Sequence, residues 1–229
     1  MNIGILFTVR ISSSRLPRKA LLEVRGIPMI SYLIRRFQTL CSERLIICTT
    51  TLQEDNYFDI IAAQHDINIF HGNADNILNR HLECAKQYDL DYIVNVDCDD
   101  IFSSPELVKK LTEKMPYSDV VYTNGFPFGT NLFAYNVNIL NTLPINDNQV
   151  DTGWGALIKD NTAFSHYIIE ADEREQFDIR LSLDYEEDFL LFRHIIETLD
   201  MDKRFVSQNE IISYIKKNPN IAKINSMVD

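Results

Sequence analysis

The stretch IGILFTVRISSSRLPRKALLEVRGIPMISYLIRRF, residues 3–37, passes from an apolar segment through a basic loop into an amphipathic one. Residues 3–9 are a short continuous apolar run, which suits a strand buried on both faces. Further on, Met29, Leu33, Phe37 and Leu40 recur at helical spacing, with Pro28 near the first turn, where its missing N–H does no harm. The same rhythm repeats downstream. RLIICTT (44–50), INIFHG (67–72) and DYIVNVD (91–97) read as strands. Residues 54–65, 74–88 and 103–115 read as helices, the last with Ser104 as N-cap and Pro105 at its first position. Strands alternating with helices predict an α/β fold: a three-layer, mainly parallel sheet of Rossmann-like or GT-A-like type.

Past Tyr117 the rhythm changes. DVVYTN (119–124) and TNLFAYNV (130–137) look like strands, but residues 125–170 lack βα alternation and are read as a small antiparallel excursion, a lid or a dimer arm. IRLSLD (179–184) reads as a returning strand, YEEDFLLFRHIIETL (185–199) as an amphipathic helix, and SQNEIISYIKKNP (207–219) as a last helix ending near Pro219. No repeat or linker divides the chain, so residues 1–229 are read as a single domain.

The net charge of −11 argues against nucleic acid or an anionic membrane as partner, since either would be repelled. Cys41, Cys48, Cys84 and Cys98 form no CxxC pair and read as reduced thiols, and no apolar run approaches a membrane span. A cytoplasmic protein is expected. Against that acidic background the basic loop, residues 10–19, stands out. Ligands of parallel sheets bind at the carboxyl ends of strands, so this loop and the acidic NVDCDD (95–100) should open onto one edge.

Arg10, Arg15 and Lys19 are spaced so that a turned loop aims them at one anion. Ser12, Ser13 and Ser14 let the backbone approach a phosphate, and Pro17 stiffens the exit. The alternative is a basic turn in water. Neither GxxxxGK[ST] nor GxGxxG is present, which removes the main support for a generic ATPase or dehydrogenase. The five histidines show no metal spacing, and no GxSxG supports Ser-His-Asp chemistry. Carboxylates at a strand end suit Mg²⁺, which takes one or two of them plus substrate phosphates. DCD (97–99) is equally a DxD pattern of the kind that holds a metal in GT-A-type glycosyltransferases.

RISSSRLPRKALLEVRGIPMISYLIRR resembles the N-terminal motif of the CTP-dependent cytidylyltransferases that activate acidic sugars. These include Kdo and acylneuraminate cytidylyltransferases and the SpsF-like spore-coat polysaccharide proteins. Arg10, Ser13, Arg15, Leu16, Pro17, Lys19, Leu22, Gly26, Pro28 and Met29 fall in place, with Arg18 where glycine is frequent. The resemblance implies that Arg10, Arg15 and Lys19 act on the triphosphate of CTP, with Ser12, Ser13, Ser14 and Asp97 also contacting the nucleotide. Asp99 aligns with a metal-binding aspartate, although Cys98, Ile101 and Phe102 replace the usual Gly, Pro and Leu; Asp97 and Asp100 flank it. Residues 179–195 resemble the block that delivers the second Mg²⁺ ligand, here Asp184. Glu186 stands where Pro is frequent, Glu187 and Asp188 match helix-start acids, and Asp188 is read as structural. Arg80, Gly129, Asn131 and Arg180 are the acceptor-side candidates; Trp154 is left between a ligand stack and a dimer plug.

The implied activity is Mg²⁺-dependent transfer of CMP from CTP to an acidic sugar (Kdo, sialate or pseudaminate type), releasing pyrophosphate in glycan biosynthesis by a homodimer. A phosphonate or phosphate acceptor, a GT-A glycosyltransferase and an inactive ligand-binding relative are the alternatives. The triphosphate loop weighs against the glycosyltransferase.

Overall fold

Ile5 and Phe7 of the first strand, β1 (Ile3–Thr8), lie in one apolar core, while Leu6 between them lies in another. A strand covered on both faces requires that division. The computed structural model describes residues 1–143 and 153–227. After β1 come the short antiparallel pair β2 (Glu23–Val24) and β3 (Ile27–Pro28), then α1 (Met29–Leu40), β4 (Arg44–Thr50), α2 (Tyr57–His65), β5 (Asn68–Gly72), α3 (Ile77–Tyr88) and β6 (Tyr92–Asp97). The second half holds α4 (Val108–Lys114), β7 (Val120–Asn124), β8 (Phe133–Asn136), α5 (Trp154–Lys159), β9 (His166–Glu170), α6 (Glu186–Thr198) and α7 (Gln208–Lys217).

Seven of the strands make one sheet in the order β5–β4–β1–β6–β8–β7–β9. Strand β1 pairs in parallel with β4 and β6, and β5 with β4. Strand β8 runs antiparallel to both its neighbours, β6 and β7, whereas β9 is parallel to β7. The sheet is therefore mainly parallel with one reversed strand, and its two faces carry the two cores. Residues Met29, Leu33 and Phe37 of α1 are fully buried against one face, with Phe37 edge-on to Phe7 at 5.4 Å between ring centroids. Leu40, expected on the same stripe, ends the helix and is half exposed. Face two is covered by α3 through Ile77, Leu78 and Leu82. Among the described residues no helix is long and apolar enough to cross a membrane.

Several expectations change in detail. The antiparallel element anticipated within 125–170 is β8, built into the middle of the sheet, and α5 packs Trp154 and Ile158 onto the second core. Residues 144–152 of that proposed lid or dimer arm lie outside the described residues. Pro28 pairs in the β2–β3 hairpin just before α1. Ser104 precedes a short turn at Pro105–Leu107 rather than α4 itself, and its hydroxyl donates to Glu106. IRLSLD is not a ladder strand: it makes one isolated bridge, Arg180 with Phe128, through Leu181 N–H to the Phe128 carbonyl (2.7 Å), and Leu183 N–H donates to the Asp99 carbonyl (2.8 Å).

Candidate active site

Parallel pairing places Thr8 opposite Asp97, so the segments leaving β1 and β6 emerge side by side. The basic loop after β1 closes on itself through Arg18 N–H to the Ile11 carbonyl (3.3 Å), and Arg18 takes a left-handed φ of 58°. That conformation favours glycine, which accounts for the glycine frequent at this place in the resembled motif. An acid the sequence reading missed anchors the loop. Asp55, fully buried before α2, accepts the Ile11 N–H at 2.7 Å and the Thr50 hydroxyl, tying the loop to the end of β4.

The basic and acidic loops meet. Lys19 Nζ donates to Asp99 Oδ2 at 2.6 Å and to Asp184 Oδ1 at 2.9 Å. Asp184 also accepts from Arg15 at 2.7 Å and from Arg180 at 2.6 Å, so three cations converge on one carboxylate. Burial pushes the Asp184 carboxyl up, but the Lys19 hydrogen bond and the charges of Lys19, Arg15 and Arg180 outweigh it and hold it below the ordinary range. Burial likewise pulls the Lys19 ammonium down, while Asp99 and Asp184 more than restore it. Asp97 is pushed up to about 6 by burial and by the Asp99 charge. Asp100 is held well above the usual carboxylate range by burial, then by Asp99 and Asp97. The substitutions Cys98, Ile101 and Phe102 leave the acidic loop well packed: all three are buried, and Phe102 meets Phe192 of α6 at 4.5 Å.

A cavity of about 330 Å³ opens between the loops, walled by Arg10, the three serines, Arg15, Lys19, Arg80, Asp97, Asp99 and Trp154. A wider cleft of about 760 Å³ adjoins it on the far side of the serines, toward Glu54 and Tyr57. Both volumes suit a small-molecule ligand. Arg80 is 1% exposed, its guanidinium donating to the Asn73 carbonyl at 3.0 Å. Trp154 is core as well as cavity wall, edge-on to His81 at 5.3 Å and tilted against Phe133 at 5.7 Å. Asn131 closes the 126–131 turn through the Phe126 and Pro127 carbonyls. At Gly129, with φ 84°, a β-carbon would lie 2.2 Å from the Leu181 carbonyl oxygen, so glycine there lets the turn press against residues 181–182. Neither Gly129 nor Asn131 lines the cavity. Arg180 sits between the Phe128 and Tyr185 rings, 5.2 and 5.7 Å from their centroids, and Arg15 lies over the same Tyr185 at 5.5 Å. Asp188 has the structural role expected of it: fully buried, it accepts the Asp184 and Tyr185 N–H groups at 2.9 Å each.

Behind the cavity a buried chain of hydrogen bonds runs one way. The Tyr135 hydroxyl donates to His81 Nδ1 (2.6 Å), His81 Nε2–H to the Thr8 hydroxyl (2.9 Å), Thr8 to Asn95 Oδ1 (2.6 Å) and Asn95 Nδ2 to Asp97 Oδ1 (3.0 Å). This direction follows from the ends: a carboxylate only accepts, and each further group must then donate toward it. His81 is held neutral, its pKa lowered to about 3 by burial and then by the Arg80 charge. An unfolded histidine takes up a proton below about pH 6.5, the folded one only near 3, so each pH unit between them removes up to about 1.4 kcal/mol of stability as the solution is acidified. Urea unfolding at several pH values should therefore show a shallower acid-side slope for His81→Gln than for wild type. Equal slopes would contradict the buried neutral imidazole.

A cationic loop facing two carboxylates at the carboxyl edge of a mainly parallel sheet defines the class, a nucleotidyltransferase. The model of the family described as cytidylyltransferase matches residues 5–217, and the chain belongs to that family. It is thus a CTP-dependent nucleotidyltransferase. Protein MJ1063 of Methanocaldococcus jannaschii, itself uncharacterised, is 28% identical over 99% of this chain and 95% of its own. A 3-deoxy-manno-octulosonate cytidylyltransferase of Actinobacillus pleuropneumoniae is 29% identical over 50% of this chain, which spans only 46% of that enzyme. Among solved structures, a cytidylyltransferase from Leptospira borgpetersenii superposes with a TM-score of 0.85 at 21% identity, covering 100% of this chain and 99% of its own. CMP:2-keto-3-deoxy-manno-octonic acid synthetase complexed with CTP superposes with a TM-score of 0.65 at 16% identity, covering 87% of this chain and 100% of its own. At those identities the likeness is one of fold.

Proposed function

We propose that the chain transfers CMP from CTP to a hydroxyl of an acidic sugar of the Kdo or sialate type, with release of pyrophosphate and with Mg²⁺ as cofactor. One observation carries the reading: Lys19 bonds Asp99 and Asp184 at once, so loop cations and two carboxylates from distant segments share one point. The half-length match to 3-deoxy-manno-octulosonate cytidylyltransferases supports a sugar-acid acceptor.

The residues fit the metal. Two carboxylate oxygens converge on a single cation, here the Lys19 ammonium, and Mg²⁺ needs no more than two carboxylates when phosphates and water complete its shell. Asp99 and Asp184 are the pair we assign to it, because one oxygen of each already meets at a single point. When bound there, Mg²⁺ supplies charge neutralisation at the phosphates and acidifies an acceptor hydroxyl. The protein's own share is positioning and electrostatics. Arg10, Arg15, Lys19 and the backbone of Ser12–Ser14 hold the triphosphate, so that its α-phosphorus faces the acceptor oxygen. That oxygen, giving up its proton to solvent, forms the new P–O bond as the bond to pyrophosphate breaks. Arg180, stacked between two rings, offers its charge to the acceptor carboxylate.

The test is pyrophosphate release with each of the four nucleoside triphosphates against a panel of acid sugars, with and without Mg²⁺. Release with CTP and Mg²⁺ and one sugar acid is expected. Release with neutral sugars alone, or undiminished by chelator, would refute the acceptor or the metal respectively.

A further inference from the structure

The segment that carries Asp184 lacks the ladder that holds β1 and β6. Its backbone is tied to the loops beside it by the bonds of residues 180–183 to Phe128 and Asp99. The next support is the Asp188 carboxylate, whose Oδ2 accepts the Asp184 and Tyr185 N–H groups. Its other oxygen, Oδ1, has two suitors: Arg180 Nε at 3.5 Å, and Asn225 Nδ2 at 2.7 Å. Asn225 is 2% exposed, comes from the tail beyond α7, and its amide also donates to the Arg180 carbonyl at 3.0 Å. One side chain thus clamps Arg180 from its backbone and Asp188 from its carboxylate. It lies beyond residue 217, where the family match ends.

We propose that Asn225 is a positioning residue for nucleotidyl transfer, acting through Asp188 and Arg180 to hold Asp184 in place. Its amide shares the buried Asp188 carboxylate with the Arg180 guanidinium, leaving Arg180 Nη2 on Asp184 Oδ2 at 2.6 Å. Without that amide, Asp188 Oδ1 is left with Arg180 alone. A buried carboxylate short of a donor draws the nearest cation to itself, so the guanidinium shifts toward Asp188 and away from Asp184. The tail thus supports the Asp184 segment from behind, although it touches no reacting atom. The inference rests on the reading of Asp184 as a working carboxylate.

The test uses the full chain, by hydrogen exchange and by kinetics. In Asn225→Ala the Asp184 and Tyr185 amides should exchange faster while the β1 and β6 amides keep their protection. The value of kcat should fall ~10-fold, the usual effect of removing a partner of an active-site ligand. KM for CTP should stay within about twofold, because the triphosphate loop is untouched. Asn225→Ser, which keeps a donor, should recover part of the loss. Unchanged exchange at 184–185 overturns the proposal. So does faster exchange spread over the whole sheet with normal kcat per folded molecule, since Asn225 would then serve stability alone. If wild type transfers no CMP to any sugar acid, the acceptor assignment fails, and the exchange measurement still decides whether Asn225 holds Asp184.

Discussion

Lys19→Met loses turnover while the protein stays folded. Lys19 is, among the described residues, the cation that touches both carboxylates, and at 16% side-chain exposure its charge is only weakly screened. Its raised pKa keeps it protonated throughout the working range. Removing one preorganised charge aimed at a reacting phosphate costs about 10²–10³-fold in rate, or ~3–4 kcal/mol of transition-state stabilisation. Stability should change far less, because Asp184 retains Arg15 and Arg180, and Asp99 is 27% exposed and can be hydrated. Pyrophosphate release paired with urea unfolding separates the two effects. Rate retained per folded molecule, with a lowered urea midpoint, would make Lys19 a structural cation only.

Asp184→Asn should lose both. The amide keeps the shape but not the charge that three cations share. Lys19, Arg15 and Arg180 are then left facing one another, with Asp99 beside Lys19 and Asp188 beside Arg180 as the remaining counter-charges. Breaking a buried ion cluster from one side costs ~3–5 kcal/mol. The lower end, about 3 kcal/mol, applies because Arg15 is 52% exposed and partly screened. The loss in rate should be at least that of Lys19→Met, ~10²-fold or more. Pyrophosphate, drawn to the three cations left without Asp184, should stabilise the variant, by ~2.7 kcal/mol at about 100 times its dissociation constant. The sign of the pH effect follows from the lowered Asp184 pKa. Its contribution is complete above the ordinary aspartate value and is lost as the pH falls through the lower folded one, so the gap between variant and wild type closes in acid. A gap constant from neutral pH down to pH ~3 would show that the carboxylate is not paired as described.

Those two results would test residues that are legible in the amino-acid sequence alone. The β1 loop announced itself because four cations and three hydroxyls sit between an apolar run and a helix, and Asp99 because it stands in the acidic loop just after β6. Periodicity also found β1, β4, β5, β6 and the helices between them, since each buries a face set by local spacing. Residues 179–184 misled for a physical reason. IRLSLD alternates as a strand does, and Leu181 and Leu183 are indeed buried, but alternation reports burial and not hydrogen-bonded neighbours. Leu40 misled similarly: the helical stripe continues to it, yet the helix ends there and the core does not extend so far.

Other contributors left no local mark. Asp55 reads as one more acid in a run, Tyr185 as a spacer, Asn225 as tail. Each acquires its role from a partner far away in the chain: Asp55 from Ile11, Tyr185 from Arg15, Asn225 from Asp188. Order within the sheet is of the same kind. Nothing in FAYN says that it will run backwards between β6 and β7.

By itself, then, the amino-acid sequence determined the layered α/β class, the edge at which chemistry occurs and most of the charged groups there, because burial period and loop composition are properties of neighbouring residues. Only the tertiary structure decided that Asp184 stands between Lys19, Arg15 and Arg180, that Asp55 and Asn225 brace the two sides, and that Gly129 and Asn131 shape a turn. The long-range contacts among these, such as Ile11 with Asp55, 44 residues apart, and Arg15 with Asp184, 169 apart, exist only once the sheet has set the segments side by side.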